Sequence, residues 1–141
     1  MKLDFAFVSD AALLTERGLF SVLGGGFDTV KCSGFPATYH LIACVVRLRF
    51  DPGEFDVTHK CIVELFDPDG ALVPKMKIEL PVRPSPHPRY SDRSNVMTLH
   101  ADFQQVPITK PGDYVFRISC DGVELGQIGI EVTGPENLEA S

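Results

Sequence analysis

From Leu3 to Val132, apolar and polar residues alternate in short runs closed by Gly, Pro or Asp, and no stretch keeps the 3.6-residue period of a helix. Leu3, Phe5 and Phe7 open a strand expected to run to about Leu14; Thr15 to Gly18 turns it and Leu19 to Leu23 returns. Gly24-Gly25-Gly26 reads as a bend where the chain crosses between sheets. A phosphate-cradling loop would continue into a Lys-Ser/Thr pair and a helix, whereas Phe27-Asp28-Thr29-Val30 follows here.

Tyr39 to Phe50 is the clearest strand, with Ile42, Cys44, Val46, Leu48 and Phe50 on one face and Ala43, Val45, Arg47 and Arg49 on the other. After the turn at 51–56, Val57 to Phe66 is expected to pair back on it, opposing Val46 to Cys61, Cys44 to Val63 and Arg47 to Lys60. Asp67-Pro-Asp-Gly70 is a turn, and Pro74 assigns Ala71 to Leu80 to a sheet edge. In Ser94 to Phe103, Met97, Leu99, Ala101 and Phe103 share the core face; Tyr114, Phe116, Ile118 and Cys120 do so in the next strand. Asp121-Gly122 marks a tight hairpin, and the opposite parities of Leu125 and Ile128 predict a bulge near Gly126. The sum is an all-β sandwich of two antiparallel sheets with seven or eight strands, one domain over 1–133, and a polar tail at 134–141 expected to be disordered.

Lys110-Pro-Gly-Asp-Tyr114 looks like the corner that opens a late strand in immunoglobulin-like sandwiches, where a tyrosine hydroxyl bonds the backbone upstream. The tryptophan and the spaced cysteine pair of antibody domains are missing, so the likeness is to the architecture. Over most of 1–132 the chain resembles small single-domain bacterial proteins grouped only as a domain of unknown function. The residues that carry this are Leu3-Asp-Phe-Ala-Phe-Val-Ser-Asp-Ala11, Gly18-Leu-Phe-Ser-Val-Leu-Gly-Gly-Gly26-Phe-Asp28, Phe35-Pro36, Val46-Arg-Leu-Arg-Phe50 and Pro111-Gly-Asp-Tyr114. The resemblance implies a stand-alone bacterial β-domain and brings no activity, cofactor or catalytic residue.

With 44% hydrophobic and 23% charged residues, the 141-residue chain has the composition of a folded domain. Its net charge of −6 argues against a general nucleic-acid binder. Asp4 and Asp10 interrupt the apolar run a signal peptide needs, and no stretch is long enough to span a bilayer, so a cytoplasmic location away from membranes is expected. Cys32, Cys44, Cys61 and Cys120 lack metal-ligand spacing and read as reduced thiols, three of them on core faces. In the expected register Cys44 and Cys61 lie diagonally, too far apart for a relaxed disulfide, whereas a two-residue shift would oppose them. The aspartates at 28, 51, 67, 69 and 121 invite a calcium reading but suit turn geometry better, so no metal and no cofactor is expected.

One segment stands out. Residues 81–93 hold four prolines and three arginines against one aspartate, a net +2 in a chain of −6. Arg83, Pro84, Pro86, Arg89, Tyr90 and Arg93 are the candidate binding residues, because Arg and Tyr anchor interfaces. A second candidate is a sheet face on which Val45, Ile62 and Phe66 form an apolar patch beside Arg47 and Arg49; a covering layer over it is the plainer alternative. Arg47, Arg49 and Lys60 on that face suit an anion, or simply a solvated stripe with Glu64 as partner. The four histidines are scattered and no nucleophile has a recognisable helper, so no catalytic residue is expected. The expected function is a non-enzymatic protein-interaction or scaffold module with a protein partner, in which homodimerisation is the commonest assembly. The alternatives are a small-ligand or carbohydrate binder, disfavoured by the lack of Trp, and an enzyme assembled from distant strands.

Overall fold

The chain is built from ten strands: β1 (Lys2–Ser9), β2 (Ala11–Leu14), β3 (Phe20–Leu23), β4 (Thr29–Lys31), β5 (Ala37–Phe50), β6 (His59–Phe66), β7 (Leu72–Val82), β8 (Asn95–Ile108), β9 (Gly112–Cys120) and β10 (Val123–Thr133). The computed structural model describes residues 1–15 and 19–135. The turn expected over 16–18 and residues 136–141 of the expected tail lie outside them. A single 3-10 turn at Pro52–Glu54 is the helical element among the described residues, and no helix there is long and apolar enough to cross a membrane.

The fold is all-β as expected, but the two antiparallel sheets of seven or eight strands are replaced by ten strands in three sheets, because short strands break away at Asp10 and around β4. One has the order β1-β5-β8, a second β4-β10-β9-β6-β7, and the third is the β2–β3 hairpin. All neighbours run antiparallel except β4, which lies parallel to β10. The main core lies between the three- and five-stranded sheets. Ile42, Cys44, Val46, Leu48 and Phe50 of β5 and Ala101 and Phe103 of β8 enter it from one side. Cys61, Val63 and Leu65 of β6 and Tyr114, Phe116 and Ile118 of β9 enter from the other. The rings of Phe103 and Phe116 meet across it at 5.1 Å. The alternation read from β5, β8 and β9 therefore carries directly into packing.

Several local expectations are met. β7, which contains Pro74, is the edge strand of its sheet. Asp121 and Gly122 both have positive φ (52° and 83°), as a tight two-residue hairpin requires, and the β9–β10 register shifts between Glu124 and Gly126. The Tyr114 hydroxyl donates to the Lys110 carbonyl at 2.9 Å, closing the expected corner. In the turn after β6, the Asp67 carboxylate accepts the N–H groups of Asp69 and Ala71, so turn geometry occupies it.

Two further expectations are corrected. The strand predicted from Leu3 to Leu14 breaks at Asp10: β1 stays beside β5, while β2 leaves to form the separate hairpin with β3. Asp10 donates its N–H to the Leu23 carbonyl and Gly26 donates to the Val8 carbonyl, pinning the hairpin's base. The second correction concerns β5 and β6, which do not pair. β5 lies between β1 and β8, and β6 between β7 and β9. The segment from Asp51 through the 3-10 turn to Asp56 (φ 58°) carries the chain across the core instead of folding it into a hairpin. The opposition of Val46, Cys44 and Arg47 to Cys61, Val63 and Lys60 is thus replaced by a register in which Cys61 opposes Cys120 and Leu80.

Candidate functional site

The face expected to gather Val45, Ile62, Phe66, Arg47 and Arg49 does not exist as one surface. Val45 lies on β5, and Ile62 and Phe66 lie on β6 in the other sheet. Val45 is fully buried, with Phe7 and His100 beside it on the neighbouring strands. The β2–β3 hairpin supplies the covering layer: Phe20 packs its ring within about 6 Å of Phe5 and Phe7. Arg47 and Arg49 both lie 3.4 Å from the Asp4 carboxylate, rather than beside Glu64. Lys60 pairs with Glu79 at 3.3 Å. On the far sheet, Ile62 is half-buried and Phe66 carries the Arg117 guanidinium over its ring at 4.2 Å.

The Pro/Arg loop is rooted at both ends. Pro84 is buried and its carbonyl accepts the Asp56 N–H at 2.8 Å, while the Asn95 side chain donates to the Ser85 carbonyl at 3.0 Å. Beyond these ties the loop turns outward. Arg93 stacks over the Tyr90 ring at 4.0 Å, the His87 ring centre lies 5.2 Å from that of Tyr90, and Arg89 and Tyr90 are exposed. Pro86 is half-buried and Arg83 exposed. Of the six residues expected to bind, Pro84 is therefore an anchor, and Arg83, Arg89, Tyr90 and Arg93 present side chains to solvent.

The most exposed apolar surface is one that strand reading passed over. In the β2–β3 register Ala12 faces Val22 and Leu14 faces Phe20, and this side of the hairpin rests on the sheet below. The other side carries Leu13 and Leu23, which are 65% and 72% exposed, and Leu19 just before β3 is 56% exposed. Apolar residues on both faces of a four-residue strand were the available signal: one face meets the sheet and the other has nothing above it among the described residues. Between the hairpin's end and β8 lies an open groove of about 790 Å³, walled by Leu19, Phe20, Val96, Met97 and Thr98 with Arg47 beside them. The Pro/Arg loop runs into β8 at Asn95, next to that wall, so hairpin, groove and loop follow one another.

Titratable groups converge at a second place. His59, 7% exposed, donates from Nδ1 to the Asp121 carboxylate at 2.6 Å and from Nε2 to the Glu54 carbonyl at 2.8 Å. Both partners are acceptors, so the arrangement favours the doubly protonated ring, which satisfies both at once. The hydrogen bond to Asp121 raises the His59 pKa above the usual histidine value, and the same bond lowers that of Asp121. Burial pulls the Glu54 carboxyl up, but the Met1 ammonium and the Asp51 N–H outweigh it and hold its pKa low. With neither nitrogen free to exchange a proton with a substrate, this is a clamp joining the 3-10 turn, β6 and the β9–β10 hairpin.

Fold and surfaces together define an all-β domain with an outlying hairpin that turns leucines to solvent and a Pro/Arg loop that does the same with arginines. Residues 4–133 match a family of unknown function, DUF6941, and the chain belongs to that family. No curated protein matches the chain.

Proposed function

We propose that this is a protein-interaction module of immunoglobulin-like architecture, acting in a bacterial cytoplasm, and that its contact surface is the outer face of the β2–β3 hairpin. The architecture is supported by three features: the β1-β5-β8 sheet opposed to β4-β10-β9-β6-β7, a chain that leaves the first sheet after β1 to lie parallel to β10 in the second, and the tyrosine corner. The observation that carries the function is the set of three leucines, Leu13, Leu19 and Leu23, each more than half exposed on one small face. Leaving such a patch in water is unfavourable by roughly 25 cal/mol for every Å² that a partner would cover. The exposed arginines of the Pro/Arg loop set the partner's chemistry. Arg83, Arg89 and Arg93 have no carboxylate within ion-pair distance among the described residues, so the partner is a protein segment with apolar side chains flanked by acidic ones.

The test places a photo-crosslinking side chain at Leu13, and in a second protein at Gln127 on the exposed part of β10, and compares their adducts in cells. A discrete adduct at 13, absent at 127 and lost when Leu19→Glu and Leu23→Glu are added, is the expected result. Equal labelling at both positions, or none at 13, overturns the reading. An adduct with twice the chain's mass identifies a second copy as the occupant. Replacing Arg89 and Tyr90 together with alanine is expected to weaken the adduct while shifting the melting temperature by only a degree or so, about the size of an ordinary surface change.

A further inference from the structure

Of the four cysteines, two are brought face to face. Cys61 on β6 and Cys120 on β9 are directly opposed across adjacent strands of the five-stranded sheet. The Asp121 N–H bonds the Lys60 carbonyl at 3.0 Å, so the pair next to the cysteines is the hydrogen-bonded one. Cys61 and Cys120 therefore occupy a non-hydrogen-bonded position, where opposed Cα atoms approach to about 4.5 Å and side chains are closest. That spacing falls inside the range a disulfide spans without moving the backbone. Their sulfurs are already in contact, 3.0 Å apart, as free thiols. Cys32 and Cys44 have no such neighbour among the described residues: Cys44 is buried on β5 in the opposite sheet and Cys32 is half-buried after β4.

We propose that Cys61 and Cys120 are an oxidisable dithiol, a modification site that closes to an intramolecular disulfide by exchange with a small-molecule disulfide such as oxidised glutathione. One cysteine gives up its proton and its thiolate attacks a sulfur of the oxidant, forming a mixed disulfide and expelling one glutathione thiolate. The second cysteine, deprotonated in turn, attacks the protein-side sulfur and expels the other. Two protein thiols lose two electrons to one S–S bond, and one glutathione disulfide gains them as two thiols that take up the two protons. Both sulfurs are buried and burial pushes both thiols up, so little thiolate exists in the closed protein. Exchange accordingly waits on opening of the strand ends beside the Asp121-Gly122 turn. Once formed, the bond ties β6 to β9 across a span of about sixty residues and restricts the unfolded chain.

The full chain is incubated with oxidised glutathione, and in parallel unfolded and refolded in the same buffer; free thiols are then alkylated and peptides mapped by mass spectrometry. The expected result is one linkage joining the Cys61 and Cys120 peptides, with Cys32 and Cys44 still alkylated. Dithiothreitol reverses it, and the folding equilibrium constant rises roughly a hundredfold in the linked form. Absence of the linkage after both incubation and refolding, or linkage dominated by Cys32 or Cys44, overturns the proposal. Because the mapping uses the natural chain, it does not depend on a variant that fails to fold.

Discussion

Replacing Phe116 with alanine is expected to destabilise the domain by about 3–5 kcal/mol, the cost of removing a large aromatic side chain from a well-packed core. Phe116 is wholly buried, and its ring meets Phe103 from the opposite sheet at 5.1 Å. Its backbone is held on both sides, with Leu65 of β6 opposite it and Ile128 of β10 on the other flank. A strand clamped by two ladders relaxes little into a cavity, which places the loss toward the upper end. Urea unfolding should show the midpoint falling accordingly, and melting should drop by on the order of 10 °C. Phe66→Ala serves as the contrast, since Phe66 is only half-buried on β6 and loses mainly its contact with Arg117. Equal losses for the two variants would sink the assignment of the core to the space between the sheets.

The second large effect is a dependence of stability on pH that runs through His59. Its pKa is raised in the folded protein, chiefly by the Asp121 hydrogen bond, so the stabilisation it contributes is fully present below the unfolded-state value of about 6.5. That contribution is lost as pH rises through the raised folded value. Asp121 and Glu54 behave oppositely. Their lowered pKa values contribute stability above the ordinary carboxylate range, and it disappears as pH falls through them. Maximal stability is therefore expected at mildly acidic pH, between the two limbs. His59→Ala should flatten the alkaline limb and cost about 1.5–3 kcal/mol near pH 6, the range for charge-assisted hydrogen bonds. The lower half of that range is favoured because the Asp121 side chain is 43% exposed and screened by solvent. The scan is confined to pH below about 8, before unfolded-state thiols begin to titrate. Parallel alkaline slopes for variant and parent would rule out the imidazolium clamp.

Strand positions and core faces were legible along the chain because period-two alternation reports which side of a strand is buried. Alternation does not report which sheet a strand joins. β5 and β6 each present a clean apolar face, and that pattern is the same whether they pair edge to edge or face each other across the core. What decides is the connection, and Asp51 to Asp56 contains no two-residue hairpin turn to force pairing. One clue lay in the run Ile42-Ala43-Cys44-Val45-Val46: five consecutive apolar residues, all buried, mark a strand covered on both faces. That run favours the covering layer over Val45, the plainer of the two alternatives, and disfavours a patch shared with Ile62 and Phe66. The meeting of Cys61 with Cys120, and of His59 with Asp121, depends on register between strands far apart in sequence, which local pattern does not encode.

The hairpin's attachment has a consequence for how the domain could diversify. Its base is fastened where β1 ends against one sheet and where the chain passes on to β4 in the other, and its inner side packs on the body through Phe20. The outer side chains at 13, 19 and 23 are each more than half exposed, so exchanging them is expected to alter stability by only about half a kcal/mol apiece. Recognition is thereby uncoupled from folding: the hairpin is a replaceable cartridge, free to be retuned to new partners while the two opposed sheets beneath it stay the same.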